Sequence, residues 1–253
     1  MKVTFLGTGT SQGIPVIACR CEVCMSLDYR DKRLRTSVLI EHQNTTFVID
    51  TGPDFRQQML RERVTKLDAV VFTHSHKDHT AGLDDVRAFN HLQQKDMPVY
   101  GDKNVLAALQ KEFSYVFSEH KYPGIPSLEL HEVNKSSFVI GDATLLPIEV
   151  MHYKLPVFGY RINDFTYITD ANYISEEEKE KIKGSKVIVL NALHKETHIS
   201  HFNLEQAIAL LTELKPEKAY LIHLGHRMGL HSQVSKELPD FIDIAFDGLQ
   251  LTL

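Results

Sequence analysis

The sequence lacks any long hydrophobic run. No stretch of its 253 residues approaches the roughly 18 apolar residues that a transmembrane helix needs. Its start, MKVTFLGTGTSQG, has one lysine and a short apolar stretch broken by glycines, which is too short and too polar for the core of a secretion signal. We therefore expect a cytoplasmic protein that does not associate with membranes.

Strong charge of either sign is also missing. The 28 Lys and Arg residues against 33 Asp and Glu residues give a net charge of -5, so bulk charge does not attract nucleic acid or an anionic membrane. The composition is typical of an ordinary globular protein rather than a disordered chain, with only 13 Gly and 9 Pro and with 43% hydrophobic and 24% charged residues. Without a linker, repeat or low-complexity tract, residues 1–253 are predicted to form a single domain.

The hydrophobic pattern alternates between strand and helix periodicity. Strands are predicted at 3–7, 36–42, 45–51, 67–73, 186–191, 218–224 and near 242–246, with a β-rich region at 128–170. Helices are predicted at 78–91, 103–117, 175–183 and 203–214. Because both halves contain strands and helices in similar order, we expect an α/β fold of four layers, with two sheets flanked by helices.

Cysteine is scarce, and the three present are clustered. Cys19, Cys21 and Cys24 are odd in number and too close together for a disulfide framework. Three thiolates at this spacing supply three corners of a tetrahedral zinc site, and a histidine often supplies the fourth. The alternative is three buried thiols without a ligand.

Histidine, by contrast, is abundant, and three of the 14 lie in the run His74-Ser-His76-Lys-Asp78-His79. This run follows the predicted strand 67–73, where the chain turns into a helix. His74 and His76 are expected on one side of the turn, with Asp78 and His79 arriving from the helix start. One short segment can then serve two adjacent metal ions, whereas the simpler alternative is a solvated polar turn.

The run resembles the His-x-His-x-Asp-His signature of the metallo-β-lactamase superfamily, and the resemblance extends over essentially the whole chain. It implies the αββα sandwich of that superfamily and three further ligands at strand ends, namely His152, Asp170 as the bridging group, and His223. Imidazole and carboxylate ligands suit a pair of divalent ions such as Zn²⁺, Mn²⁺ or Fe²⁺. The resemblance also implies that Asp50 supports the metal-binding loop, although a turn-forming Asp before Gly52 is an equally good explanation.

The position of His226 suggests the missing ligand of the cysteine cluster. If His223 points to the metal pair, His226 beyond Gly225 can point the other way and complete a structural zinc site. This combination is similar to the phosphoribosyl 1,2-cyclic phosphate phosphodiesterase branch of the superfamily, which is related to RNase Z. That resemblance also implies a homodimer.

A second histidine-rich segment precedes the predicted helix 203–214. In the phosphodiesterase branch, a histidine before this helix is implicated as the general acid. His201 matches best by its distance from the helix, and His198 is the second candidate. The helix N-terminus offers backbone N–H groups to a phosphate, while Asn203 is a good N-cap for purely structural reasons.

The predicted function is a metal-dependent phosphodiesterase that hydrolyses a small cyclic phosphodiester. A hydroxide bridging two Zn or Mn ions attacks phosphorus, Asp78 orients it while binding metal, and His201 protonates the leaving oxygen.

Three alternatives remain open. An RNase Z-type transfer RNA 3′-end endonuclease is disfavoured because no basic Gly/Pro-rich arm interrupts the chain and the charge of -5 does not favour RNA binding. A thiolester or lactone hydrolase is the second. A non-catalytic scaffold of the same fold is the third, although every expected ligand position is filled.

Overall fold

The computed structural model describes residues 1–120 and 122–253. The described residues form fourteen β-strands, here numbered in chain order. They are β1 (Lys2–Gly7), β2 (Ser37–His42), β3 (Thr45–Ile49), β4 (Ala69–Val71), β5 (Met97–Gly101), β6 (Leu128–Glu132), β7 (Phe138–Ile140), β8 (Ala143–His152), β9 (Leu155–Ile162), β10 (Phe165–Tyr167), β11 (Val187–Asn191), β12 (Lys218–Ile222), β13 (Ile242–Ile244) and β14 (Gln250–Thr252).

Eight α-helices in the described part of the chain connect or flank these strands. They are α1 (Glu22–Met25), α2 (Phe55–Glu62), α3 (Lys77–Thr80), α4 (Arg87–Gln93), α5 (Lys103–Glu112), α6 (Glu176–Ile182), α7 (Leu204–Leu214) and α8 (His231–Val234). Short 3₁₀ turns lie at Tyr29–Asp31, Leu83–Val86, Ser114–Val116 and His226–Met228. Within residues 1–120 and 122–253, none of the helices combines the length and the apolar character that crossing a bilayer requires.

The strands form two sheets of seven. The first has the order β14-β1-β2-β3-β4-β5-β6 and the second β13-β12-β11-β10-β9-β8-β7. In the first sheet β3 to β6 run parallel, and in the second β10 to β13 run parallel, while the remaining pairs are antiparallel. Loops that follow neighbouring parallel strands therefore emerge at the same sheet edge, where functional side chains can converge.

The two sheets pack face to face around an aromatic core. Phe5 and Phe47 from the first sheet belong to the same buried cluster as Tyr160, Phe165 and Tyr167 from the second. All five side chains are inaccessible to solvent. Their alternation with outward-facing residues is the period of two that each strand imposes on its side chains.

Helices cover the outer face of each sheet. Phe55 and Met59 of α2 and Leu109 of α5 are buried against the first sheet. Ile182 of α6 and Leu211 of α7 are buried against the second. The layers are thus helix, sheet, sheet and helix, which confirms the predicted four-layer α/β sandwich.

The predicted helix 78–91 is wrong in one respect, because the chain breaks it into α3, a 3₁₀ turn and α4. At Gly82 the backbone N–H donates to the carbonyl of Thr51 (2.8 Å) instead of continuing the helix. A Cβ at Gly82 would meet the carbonyl oxygen of Gly52 at 2.2 Å. The break therefore lets this segment lie directly against the chain that follows β3.

Other boundaries also differ from expectation. The predicted helix 103–117 ends at Glu112, and the predicted strand 67–73 is paired only over β4. Helix α2, strands β5 and β14, and the short helices α1 and α8 were not predicted at all. The sequence of α2, FRQQMLRE, is polar except for its few buried positions, and β14 has three residues that gain their pairing only by lying antiparallel to β1.

Candidate metal centre

Three residues at one edge of the sheets adopt the left-handed backbone conformation. Asp50 directly after β3 has a φ of 66°, Asp170 shortly after β10 has 56°, and His223 directly after β12 has 55°. Such a conformation is unfavourable for residues with a Cβ and persists where the surroundings enforce it, often at functional sites. Here it ends the strands abruptly and leaves the three side chains buried close together.

The predicted active-site ligands form two adjacent groups. In each group, one donor atom from every residue lies within 4.8 Å of the others. The first group is His74, His76 and His152, and the second is Asp78, His79, Asp170 and His223. A donor atom of Asp170 also lies within this distance of one from His152, and this contact joins the two groups. The fold therefore brings together all seven predicted residues, while their role as metal ligands stays a prediction.

Asp50 organises two of these imidazoles from behind. Its Oδ2 accepts hydrogen bonds from the Nδ1 of His79 (2.7 Å) and the hydroxyl of Thr73 (2.8 Å). Since the single hydroxyl proton of Thr73 goes to Asp50, its oxygen accepts from the Nδ1 of His74 (3.0 Å). Both imidazoles thereby use Nδ1 for these contacts and present Nε2 to the cluster. This is how carboxylates behind metal-binding histidines orient them.

A third imidazole is oriented by the backbone. His152 donates from Nδ1 to the carbonyl oxygen of Ser200 (2.9 Å), which leaves its Nε2 for the cluster. Among the described residues, the buried Nε2 atoms of His74, His79 and His223 make no well-aligned hydrogen bond, and those of His79 and His223 lie 3.2 Å from oxygens of Asp170. Leaving such atoms unpaired costs roughly 1–3 kcal/mol each, and a bound cation removes that cost. Imidazole and carboxylate donors of this kind fit Zn²⁺, Mn²⁺ or Fe²⁺.

The electrostatics of the cluster favour ionised carboxylates. Burial acts to raise the pKa of Asp170, but the neighbouring His223 and His79 hold it well below its usual value. The pKa of Asp78 is lowered in the same way against the effect of burial. Burial lowers the pKa of His79, yet Asp170 and Asp50 raise it well above normal. The centre is therefore an anionic pocket that cations stabilise.

Tight backbone contacts hold residues 74–79 in place. Thr51 donates to the carbonyl of His79 (2.7 Å), and a Cβ at Gly52 would lie 2.1 Å from the carbonyl oxygen of Asp78. From the second sheet, Tyr160 donates its hydroxyl proton to the carbonyl of Phe72 (2.7 Å). In the sequence, Gly52 is recognisable only as part of the turn after Asp50. Its close approach to the histidine motif is visible only in three dimensions.

His201 lies against the centre, as expected of a group that contacts substrate. Its ring centroid is 4.7 Å from that of His152 and 4.9 Å from that of His223, and its Nδ1 is 3.8 Å from Asp170 Oδ1. Burial, with help from His223, lowers the pKa of His201 to about 3. His198 stacks on His201 at 5.2 Å but belongs to neither ligand group.

Helix α7, which follows His201, is closed at its start by its own side chains. Asn203 Oδ1 accepts from the backbone N–H of Gln206 (2.9 Å), and Gln206 Oε1 accepts from the N–H of Asn203 (3.1 Å). This reciprocal capping box satisfies two of the backbone N–H groups that were expected to be available to a phosphate. Asn203 therefore has the structural role that the sequence also suggested.

The three cysteines meet His226 as predicted from the sequence. The Nδ1 of His226 lies 3.2 Å from Cys19 Sγ, 3.4 Å from Cys21 Sγ and 3.5 Å from Cys24 Sγ. The backbone N–H of Cys24 is the main cause that lowers the pKa of Cys21 to about 6. One nitrogen and three sulfur donors around a common point fit a tetrahedral structural zinc ion, and this role stays a prediction.

Comparison with known proteins places this chain in a family. A model described as the beta-lactamase superfamily domain matches residues 45–224. The chain therefore belongs to the β-lactamase superfamily, which confirms the assignment made from the histidine motif.

Within that superfamily the chain is a member of the PhnP family. It is 34% identical to a solved structure described as a new diphosphatase from the PhnP family. The two match with a TM-score of 0.94 over 100% of this chain and 97% of that chain.

Two curated relatives carry other names. An octanoyltransferase from Porphyromonas gingivalis is 40% identical over 99% of this chain and 51% of its own length. A ribonuclease Z from Staphylococcus epidermidis is 26% identical over 64% of this chain and 49% of its own length. The chain thus spans about half the length of these curated relatives.

Proposed function

We propose that this protein is a metal-dependent hydrolase of small phosphodiesters, with cyclic esters as its preferred substrates. The observation that carries this proposal is the pair of ligand groups joined by Asp170, with His201 beside them. The similarity to a diphosphatase and to a ribonuclease Z supports it, because both names denote enzymes that cleave phosphorus–oxygen bonds.

Each ligand group would hold one divalent ion. His74, His76 and His152 would hold the first ion, Asp78, His79 and His223 would hold the second, and Asp170 would contribute to both. When bound, the ions would supply a water molecule activated near neutral pH and polarise the phosphoryl oxygens.

The remaining steps depend on the protein's own side chains. Asp78 is partly exposed, so its carboxylate can orient the attacking water as well as bind metal. His201 is buried and neutral near pH 7 in the unliganded protein, because burial lowers its pKa to about 3. The negative charge of a bound phosphodiester favours the protonated imidazole. His201 can thereby take up a proton as substrate binds and donate it to the leaving oxygen.

The test is hydrolysis of bis(p-nitrophenyl) phosphate by protein reconstituted with Zn²⁺ or Mn²⁺. We expect Asp78→Ala and His201→Ala to lower kcat by about 10²- to 10⁴-fold, the usual range for loss of a general acid or base. His198→Ala tests the second candidate for the general acid, and because that ring stacks on His201 outside both ligand groups, its kcat should stay close to the wild type. Normal turnover by His201→Ala would contradict the assigned role.

Selectivity for cyclic esters is tested with a panel of cyclic nucleotide and sugar phosphates, compared with linear esters that have the same leaving group. We expect the cyclic members to have the higher kcat/KM. Cleavage of a precursor transfer RNA at physiological salt would instead favour the RNase Z function, against which the net charge of -5 argues.

A second candidate function is supported by one observation. The chain is 40% identical to half of a protein named octanoyltransferase, which handles an acyl group. An acyl thiolester hydrolase would use the same metal centre against a carbonyl carbon. Hydrolysis of octanoyl-coenzyme A that is faster than hydrolysis of every phosphodiester tested would favour this candidate.

A further inference from the structure

A cavity of about 480 Å³ opens directly beside the first ligand group. It is lined by His76, His152, Tyr153, Lys154, Leu155, Ile199 and Ser200. Tyr153 is 48% exposed and Ile199 is 66% exposed, so two large apolar side chains line the cavity without being covered by the fold. Ser200 precedes His201, so the cavity also lies next to the proposed proton donor.

The conformation of Tyr153 is unusual for its residue type. Tyr153 and Lys154 form the two-residue turn between β8 and β9, immediately after His152. The φ of Tyr153 is 57°, a left-handed value that such turns normally assign to Gly or Asn. Because half of the side chain is exposed, packing does not account for a tyrosine here. A large aromatic residue in a strained turn beside a candidate active site points to a role in binding.

Asn172 holds both walls of this cavity. Its Oδ1 accepts from the backbone N–H of Tyr153 (2.7 Å), and its Nδ2 donates to the carbonyl oxygen of Ile199 (3.2 Å). The β8–β9 turn and the chain around Ile199 are thereby linked through one amide side chain. Because the cavity walls are already fixed in this way, ligand binding costs little conformational entropy of the protein.

Lys154 adds a positive charge at the cavity. Its Nζ lies 5.3 Å from the centroid of the Tyr153 ring, within the range of a cation–π contact. The lining therefore presents an aromatic face, aliphatic groups and one ammonium. An acyl chain uses only the aliphatic part, whereas a nucleotide uses the aromatic face for its base and the ammonium for its phosphate.

We propose that this cavity binds the nucleoside part of the substrate, with the base stacked on Tyr153 and the phosphate attracted to Lys154. The preferred substrates are then phosphodiesters of nucleosides or nucleotides. This inference rests on the proposed phosphodiesterase function and specifies which ester group it recognises.

The test compares two esters that share a leaving group. Thymidine 5′-(p-nitrophenyl phosphate) contains a nucleoside, and methyl p-nitrophenyl phosphate does not. We expect the wild type to have the higher kcat/KM for the thymidine ester. Stacking of a base on an aromatic ring is strong enough for Tyr153→Ala to lower the ratio of the two kcat/KM values about tenfold, while Tyr153→Phe retains it. Tyr173→Ala, which removes an exposed tyrosine outside the cavity lining, is the control and should leave the ratio unchanged.

Binding provides a readout that does not depend on turnover. Calorimetry with thymidine 5′-monophosphate and metal-loaded protein should show about tenfold weaker binding for Tyr153→Ala. Lys154→Gln should weaken binding at low salt more than at high salt.

Two results would overturn this inference. Equal kcat/KM values for the two esters in the wild type would do so, as would binding of octanoyl-coenzyme A through its acyl chain with no affinity for the nucleotide. If neither ester is hydrolysed, the proposed function fails, and calorimetry with thymidine 5′-monophosphate still decides whether the cavity binds a nucleotide.

Discussion

Replacing Asp50 by Asn tests whether the orientation of the histidines controls metal binding. The carboxylate of Asp50 accepts three hydrogen bonds, from the N–H of Thr73 (2.9 Å), the hydroxyl of Thr73 (2.8 Å) and the Nδ1 of His79 (2.7 Å). An amide has only one oxygen, so at least one of these donors must face an NH₂ group. Burial raises the pKa of Asp50, so its ionised form depends on these donors.

The expected magnitude follows from this geometry. One unmade buried hydrogen bond costs about 1–3 kcal/mol of unfolding free energy. Loss of a carboxylate behind a metal-bound histidine weakens metal affinity about 10- to 100-fold. In the presence of chelator, Asp50→Asn should therefore be moderately less stable than the wild type. This difference in unfolding free energy should become larger when metal is added, because the variant binds metal more weakly.

Asp68→Asn is the matched control for this measurement. Asp68 lies at the start of the same parallel pair of strands and accepts from the backbone N–H of Thr46 (2.8 Å), but it contacts no candidate ligand. Urea unfolding with and without metal, together with competitive metal titration, separates the two effects. If Asp50→Asn binds metal as tightly as the wild type, the reasoning from histidine orientation is refuted.

Three further changes test other parts of the structure. Cys21→Ser should remove one zinc equivalent and lower Tm more than it alters kcat, because a structural zinc site contributes to folding, and an unchanged melting curve with one zinc lost would oppose this. Burial and Arg33 lower the pKa of His231 to about 4, so the unfolded chain binds more protons and stability should fall by up to about 3 kcal/mol from pH 6.5 to 4. His231→Gln should flatten that part of a pH series of urea unfolding curves. Gly52→Ala should reduce both stability and metal content, since its Cβ would meet the carbonyl of Asp78 at 2.1 Å; normal metal content would contradict the close packing.

The sequence predicted the parts of the site that are local in the chain. Four candidate ligands lie within six residues at His74, His76, Asp78 and His79, and their spacing alone suggests a metal centre. The four-layer arrangement was also predictable, because hydrophobic periodicity reports which face of each element is buried.

The parts of the site and fold that the sequence did not predict depend on contacts between residues far apart in the chain. Asp50 and Thr73 are 23 positions apart and meet because β3 and β4 are parallel neighbours. The hydrogen bond between His152 and Ser200 spans 48 positions. Neither pair has a local sequence signal, and the same is true of β14, whose pairing with β1 forms only when the chain ends are brought together.

The left-handed residues Asp50, Asp170 and His223 have a consequence for engineering. At Asp50 the three accepted hydrogen bonds outweigh this strain, but in metal-free protein glycine at Asp170 or His223 relieves a steric penalty of roughly 1–2 kcal/mol. A library screened for heat resistance in the presence of chelator would therefore enrich variants in which the candidate metal centre has been lost. Directed evolution of this scaffold should select for retained metal and for melting temperature in the same round, since the two objectives conflict at these two positions.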